Sequence, residues 1–204
     1  MSADLLIRHC SPTLAGIKTG NLFSLMYSST YEMVSMVSNW NKELKAKGIR
    51  ILPLKYSNKR ALIYVFRPKE LEADLLSEDA QSLLTRLGYP CEKVSFCLHE
   101  LIIRLNKEEE FPHEIGLFLS YPAEDVKGFI NNNAQCAKCV GCWKVYGDEV
   151  KAKKQFDRYK KCTEIYCKHW AQGCCIARLA VADKENNKII LRKDTCEKSS
   201  NRLL

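Results

Sequence analysis

The sequence predicts an α+β fold, with helices packed around a small, mainly antiparallel sheet. Apolar residues recur at helical spacing along most of the chain, which favours amphipathic helices. A β-rich stretch with a polar turn interrupts this pattern at residues 49–66 and predicts a hairpin. The 204 residues contain 46% hydrophobic residues, enough for one full core. We therefore expect one domain over residues 1–172, followed by a basic, cysteine-containing extension over residues 173–204.

Helices are expected before the hairpin. A short one covers residues 4–10 and stops there, because Ser11 suits an N-cap and Pro12 suits the first position of a new helix. The residues expected to face inward on this second helix are Leu14, Ile17, Leu22 and Leu25. A longer amphipathic helix is predicted over residues 30–46, with Gly48 as its stop.

The middle of the chain alternates between helical and extended patterns. Strands at residues 49–54 and 61–66 flank the polar turn at residues 56–59. Amphipathic helices are then predicted over residues 68–76, 77–88, 92–106 and 123–131. The apolar run at residues 115–121 predicts a buried strand, and residues 143–146 predict a short one.

A long basic helix is predicted to begin at Asp148 and to end before Gly173. Its apolar stripe would consist of Ala152, Phe156, Tyr159, Tyr166 and Trp170. A last hairpin is predicted from residues 176–182 and 188–191, and the tail after Cys196 is expected to be disordered.

The cysteine content indicates a reducing compartment. The N-terminus lacks a basic start followed by a long apolar segment, so no secretory signal is expected. The longest apolar runs are too short to span a bilayer. Eleven cysteines without a sign of export favour reduced thiols, as free cysteines, metal ligands or a nucleophile. We therefore expect a cytoplasmic protein with no membrane association.

The net charge of +8 is concentrated in the last third of the chain. Residues 1–133 carry as many acidic as basic side chains, so the whole excess lies in residues 134–204. This indicates either an anionic partner for the predicted basic helix or an ordinary soluble basic surface. The basic residues that would bind such a partner are Lys151, Lys153, Lys154, Arg158 and Lys161.

Cys10 is the candidate nucleophile. It directly precedes a predicted helix start, where the helix dipole and free N–H groups would stabilise a thiolate. His113, at the head of the predicted strand, would act as the base in a papain-like arrangement. The residues that would orient the imidazole are Asp125, Asp148 or Asn131. This pattern predicts a cysteine-dependent hydrolase or transferase, unless Cys10 is simply a small buried residue and His113 a hydrogen-bond donor at a strand edge.

Three cysteines, Cys136, Cys139 and Cys142, form two overlapping C-x-x-C units in one loop. This spacing would bring three thiolates together and suits zinc or an iron–sulfur cluster. The fourth ligand would be Cys162, Cys167, His169 or one of the adjacent Cys174 and Cys175. A metal- or redox-linked binding protein is therefore the second predicted class, and the alternative is that the loop cysteines bind no metal.

Three blocks of the sequence are long and specific. They are CSPTLAGIKTGNLF at residues 10–23, FPHEIGLFLSYPAEDVKGFI at residues 111–130 and GCWKVYGDEVKAKKQFDRYKKC at residues 141–162. With these blocks the chain resembles a bacterial domain-of-unknown-function family of similar length, seen mainly in anaerobic Gram-positive bacteria. The resemblance runs from near the N-terminus to about Ala171.

The resemblance implies no activity, because that family has none established. It implies either a site at Cys10 and His113 or motif positions that act as packing and ligand contacts. The matched positions are Cys10, Lys18, Asn21, His113, Glu114, Gly116, Tyr121, Pro122, Asp125, Gly128, Trp143, Lys144, Tyr146 and Asp148. Cys136, Cys139 and the segment from Gly173 onward are less typical of the family, so a metal site in the cysteine loop would be peculiar to this protein.

Overall fold

The computed structural model describes residues 2–107 and 110–183. Within this part of the chain the helices are α1 (Ser2–Leu14), α2 (Thr30–Leu44), α3 (Pro68–Leu75), α4 (Glu78–Arg86), α5 (Val94–Lys107), α6 (Ile115–Phe118), α7 (Ala123–Asn131), α8 (Glu149–Ala171) and α9 (Ile176–Leu179). The strands are β1 (Gly20–Met26), β2 (Arg50–Ser57), β3 (Arg60–Phe66), β4 (Cys139–Val140) and β5 (Lys144–Val145). The predicted α+β class is confirmed, as are the helices predicted where α2, α3, α4, α5, α7 and α8 lie.

A three-stranded antiparallel sheet has the strand order β1-β3-β2. β2 and β3 form the predicted hairpin, which turns at Asn58 and Lys59 with left-handed φ angles of 47° and 59°. β4 and β5 pair separately as a small hairpin. The sheet is therefore small and antiparallel, as the sequence predicts.

α1 continues through Pro12, so the helix start predicted at Ser11 is wrong. A proline inside a helix costs about 3 kcal/mol. One face of α1 is fully buried, with Leu6, Ile7 and Leu14 at 0% exposure. Each such side chain contributes about 1.5–3 kcal/mol by its burial, which offsets the cost of the proline. Tertiary packing thus keeps the helix continuous.

β1 occupies the segment where a second helix is expected, so that prediction is also wrong. Gly16 has a left-handed φ of 70° shortly after α1 ends. Beyond it, Phe23 and Leu25 are buried while Ser24 and Met26 are exposed. This alternation is the period of a strand with one face on a core, and β1 therefore pairs with β3 along its length.

The strand predicted at residues 115–121 is wrong, because these residues form α6 and a turn. The main chain turns here, because the N–H of Leu119 and the N–H of Tyr121 both donate to the carbonyl oxygen of Gly116. A short apolar run buried on all sides is compatible with a strand or a helix, and its period does not distinguish them. A Cβ on Gly116 would lie 2.8 Å from Cγ2 of Val126, so α6 and α7 approach closely at this glycine.

The sheet lies between two apolar clusters. Phe23 and Ile63 point to the side where α1, α2 and α9 pack. Tyr64 and Phe66 point to the other side, which α3, α4, α5, α6 and α7 cover. A smaller cluster, which includes Trp143 and Val145, joins the β4–β5 region to α8. The connections between these layers bring distant parts of the chain together.

The described part of the predicted extension, up to Asp183, packs against the domain. The strand predicted at residues 176–182 is wrong: α9 forms there, and the N–H of Val181 donates to the carbonyl oxygen of Leu14. Asp183 forms a buried ion pair with Arg67 at 2.7 Å. The strand predicted at residues 188–191 and the predicted disordered tail lie outside the described residues. Among the described helices, none combines the length and apolar character that crossing a bilayer requires.

Candidate functional site

Cys10 lies in the middle of α1 and is fully buried in the cluster shared by α1, α2 and β1. It therefore does not lie at the N-terminus of its helix. Burial raises the pKa of its thiol, and the positive charge of Lys18 only partly opposes that rise. The position of Cys10 inside the helix and its raised pKa are both contrary to the activated thiolate that a nucleophile needs.

His113 is exposed and lies in different surroundings from Cys10. Its ring packs edge-on against Phe129, with the centroids 4.8 Å apart. Together with Lys144 and Trp143 it lines a small pocket of about 260 Å³. The catalytic role predicted for Cys10 and His113 stays a prediction, to which the surroundings of Cys10 give no support.

Asp125, predicted to orient an imidazole, holds two structural elements together. Its carboxylate is buried and accepts hydrogen bonds from Trp143 Nε1, from the N–H of Tyr146 and from the N–H of Gly147, each at 2.7 Å. These bonds tie α7 to β5 and the turn after it. Asp148 is the N-cap of α8, where its Oδ1 accepts from the N–H of Lys151 at 2.9 Å.

Glu114, next to His113, also forms hydrogen bonds that hold parts of the fold together. It is buried, and its Oε1 accepts from the Tyr89 hydroxyl at 2.8 Å and from Arg104 Nη1 at 3.4 Å. A charged carboxylate in the core needs such donors. The HEIG motif therefore anchors the segment before α6 to α5 and the chain before it.

The loop cysteines are unpaired, and their exposure differs. Cys136 and Cys142 are exposed, whereas Cys139 in β4 and Cys162 in α8 are partly buried. Among the described residues, no group of three or more His, Cys, Asp or Glu side chains lies close enough to hold a metal ion. The zinc or iron–sulfur site stays a prediction.

A cavity of about 620 Å³ lies where the three motif blocks meet. Lys18 reaches it from the α1–β1 loop, Tyr121 from the turn after α6, and Trp143 from the β4–β5 hairpin. Glu70 and Asp74 line it from α3, which none of the blocks contains. The site is thus built from segments far apart in sequence.

Lys18 is the buried cation of this cavity, with 7% of its surface exposed. Burial lowers the pKa of its ammonium from 10.5 to about 8, and the nearby thiols of Cys142 and Cys10 oppose that shift. Within the described structure it forms no ion pair. Its Nζ lies 5.1 Å from the centroid of the Tyr121 ring and 5.7 Å from that of Tyr159, close enough for cation–π attraction.

The tyrosines beside Lys18 do not neutralise it. Burial raises the pKa of Tyr121 to about 12 and also raises that of Tyr159, so both hydroxyls stay protonated at neutral pH. Tyr121 stacks on Trp143 with the ring centroids 4.8 Å apart, and Trp143 meets Phe156 edge-on at 4.5 Å. This aromatic wall holds Tyr121 in place over the lysine.

Two carboxylates form another wall of the cavity. Glu70 and Asp74 lie one helical turn apart on α3. Asp74 accepts a hydrogen bond from Thr19 Oγ1 at 2.6 Å. Burial raises the pKa of Asp74, and the charge of Glu70 raises it further, while the bond from Thr19 opposes both. Oε2 of Glu70 is buried and accepts no hydrogen bond from the described residues.

Sequence reasoning names Lys18 and Tyr121 only as motif positions and does not identify Glu70, Asp74 or Tyr159 as site residues. The local patterns of α3 and α8 assign these three to ordinary helices, so no local signal marks them. The basic face of α8 is exposed as predicted, and Ala152 on its apolar stripe is buried. The anionic partner predicted for that face stays a prediction.

Comparison with known proteins supports the resemblance seen in the motif blocks. A family model described as a protein of unknown function (DUF3793) matches residues 6–180. No curated protein and no solved structure matches the chain. The matched region contains every residue that lines the cavity around Lys18.

Proposed function

The chain belongs to the DUF3793 family of proteins of unknown function, and we propose that it binds a small zwitterionic molecule of the amino-acid class. The observation that carries this proposal is a pair of uncompensated charges in one cavity. Among the described residues, no carboxylate pairs with the buried ammonium of Lys18, and none donates a hydrogen bond to the buried Oε2 of Glu70. The two side chains do not pair with each other in the described structure.

Lys18 would bind the anionic end of the ligand. A buried ammonium without a counter-ion is costly, and a carboxylate or another anion entering the cavity would remove much of that cost. Such an anion also stabilises the protonated amine, so binding would return the pKa of Lys18 toward its ordinary value. The anion proposed here binds at Lys18, and the anionic partner predicted at the basic face of α8 is a separate prediction.

Glu70 and Asp74 would bind the cationic end. Burial raises the pKa of Asp74, and repulsion from the Glu70 carboxylate one turn away adds to that rise. An ammonium between them would relieve that repulsion and donate to the free oxygen of Glu70. The faces of Tyr121 and Trp143 supply apolar surface between the two ends, and a cavity of about 620 Å³ falls within the range of small-molecule sites.

The cytoplasm is the proposed location of this binding. The cysteines of residues 2–107 and 110–183 are all unpaired, which supports a reducing compartment.

The lowered pKa of Lys18 favours a second candidate function. At a pKa of about 8, part of the amine is neutral at physiological pH and can act as a nucleophile. It would add to the carbonyl carbon of a bound aldehyde or keto acid and release water, which leaves an imine. Borohydride reduction in the presence of glyoxylate, followed by peptide mass spectrometry, would then label Lys18 selectively. Labelling no faster than at exposed Lys154 excludes this candidate.

Calorimetric titration with a panel of amino acids and their single-charge analogues tests the binding proposal. We expect at least one zwitterion to bind, and both Lys18→Met and Glu70→Gln to weaken it. For analogues without the amino group, Lys18→Met should weaken binding, whereas Glu70→Gln should leave the affinity unchanged. At pH 8, where part of Lys18 is neutral but the amine of a free amino acid is still protonated, wild-type binding should take up a proton. This uptake is measured from the dependence of the enthalpy on buffer, and Lys18→Met should abolish it.

Lys154→Met and Glu164→Gln, both exposed on α8, are the matched controls, and circular dichroism checks the fold of each variant. The proposal is wrong if no zwitterion in the panel binds, or if Lys18→Met binds as tightly as the wild type.

A further inference from the structure

A second concave surface, the edge groove, lies between α2, the edge strand β2, α3 and the start of α5. Its volume is about 850 Å³. α3 contributes to both surfaces, with Leu71 and Glu72 facing the groove and Glu70 and Asp74 facing the cavity. No residue lines both, so the edge groove is a separate feature of the fold.

The floor of the edge groove is apolar. Leu52 of β2 and Leu98 of α5 are only half-buried, and both line the groove. Ile51 and Phe66 also line the groove and are buried, each in a different apolar cluster on opposite sides of the sheet. Exposed apolar surface in a concave site, with a polar rim, is typical of a binding surface.

The rim of the edge groove is basic. Its four cations are Lys42, Lys45, Arg50 and Lys93, against one acidic residue, Glu72. In the described structure none of the four pairs with a carboxylate, and Lys93 lies over the ring of Phe96 at 5.6 Å from its centroid. Their charges are therefore available to an acidic partner.

The edge of β2 beside the groove is closed to another strand. The N–H of Ile51 donates to Asn41 Oδ1 at 2.9 Å, and the carbonyl oxygen of Ile51 accepts from Asn41 Nδ2 at 2.8 Å. Pro53 has no N–H, and the carbonyl oxygen of Leu54 accepts from Asn106 Nδ2 at 2.9 Å. An extended peptide would find no free ladder of hydrogen bonds here. An occupant must therefore dock through its side chains.

We propose that the edge groove docks an amphipathic helix of a partner protein, whose apolar face covers the groove floor and whose acidic flanks face the four cations. A helix supplies its own main-chain hydrogen bonds, so it needs none from β2, and its convex apolar stripe fits an apolar groove. A membrane surface would leave the concave floor uncovered, and nucleic acid would place phosphates over apolar side chains.

The test is a display selection on the full chain with a library of helical peptides of about 18 residues, roughly five turns. Leucines at helical spacing stay constant, and the flanking positions vary between Glu, Lys and Ser. We expect enrichment of peptides with acidic flanks, whose binding weakens as salt is added. The charge reversal Lys42→Glu/Arg50→Glu should weaken binding by about tenfold or more.

Lys160→Glu/Lys168→Glu, at two exposed positions of α8, changes the net charge equally and is expected to leave binding unchanged. Thermal melting confirms that both double variants fold. The proposal is overturned if no peptide is enriched, if basic or neutral flanks are enriched equally, or if both double variants bind alike. Vesicles of phosphatidylcholine with phosphatidylserine, and duplex DNA, are measured in parallel. The proposal is also overturned if no peptide is enriched and the vesicles or the DNA bind the wild type but not Lys42→Glu/Arg50→Glu.

Discussion

Replacing Lys18 with methionine is expected to stabilise the unliganded protein, although it removes a residue of the candidate site. Methionine retains most of the buried aliphatic chain and removes the ammonium. The pKa of Lys18 falls from 10.5 to about 8 on folding. At about 1.36 kcal/mol per pKa unit, the charged form costs the folded state about 3 kcal/mol at neutral pH. Lys18→Met should therefore raise the free energy of unfolding by about that amount at pH 7.

The dependence on pH identifies the cause. Because the folded-state pKa is the lower one, the unfolded chain binds more protons between pH 8 and pH 10.5, and the wild type gains stability as the pH rises through that window. The advantage of Lys18→Met should thus shrink from about 3 kcal/mol at pH 7 to about 1 kcal/mol at pH 10. Other titrating groups are common to both proteins, so they cancel in the difference.

Urea unfolding at both pH values, followed by circular dichroism in the presence of a reductant, measures this difference. Lys154→Met, an exposed change on α8, should alter stability little at either pH. A variant that is less stable than the wild type at pH 7, or an advantage that does not change with pH, refutes the claim that Lys18 is buried and charged in an unliganded cavity.

Three further outcomes are expected. Iodoacetamide should modify the exposed Cys136 in the native protein and leave the buried Cys10 unmodified, which peptide mass spectrometry measures. A faster reaction at Cys10 than at Cys136 would support the thiol-enzyme prediction. Asp125→Ala should lower the free energy of unfolding by about 3 kcal/mol or more, because it leaves three buried donors without an acceptor. A loss below about 1 kcal/mol in urea unfolding would contradict this expectation. Arg67→Met should cost about 3–5 kcal/mol, because it leaves Asp183 buried and unpaired and removes the donor from the carbonyl oxygens of Thr13, Leu14, Lys47 and Val181. Adding Asp183→Leu should recover only the part of the loss that comes from the unpaired carboxylate, whereas additive losses in the same assay would argue against the ion pair.

Much of the fold could be predicted because its helices carry their pattern locally. α2 buries Met33, Val37, Trp40 and Leu44, which recur at helical spacing in the sequence. α8 begins at the Asp148 cap that the sequence indicates. These elements are defined by residues within a few turns of each other, so a single stretch of sequence is enough to recognise them.

The wrong predictions occur where local signals oppose tertiary burial. Pro12 is a good helix start by itself, yet the apolar face of α1 continues past it. The apolar run of α6 has no period that distinguishes helix from strand, because all four of its residues are buried against neighbours that include α3 and α7. In each case the deciding contacts come from other layers of the fold.

The sequence by itself determined the α+β class, the principal amphipathic helices and the three motif blocks that mark this family. Only the tertiary structure decided that Cys10 is fully buried, that Asp125 joins α7 to β5 by hydrogen bonds, and that Lys18 and Glu70 line the same cavity. Periodicity and capping are properties of neighbouring residues, whereas burial and pKa depend on atoms brought together from distant segments. A site built from the α1–β1 loop, α3 and the turn after α6 therefore becomes visible only once the chain is folded.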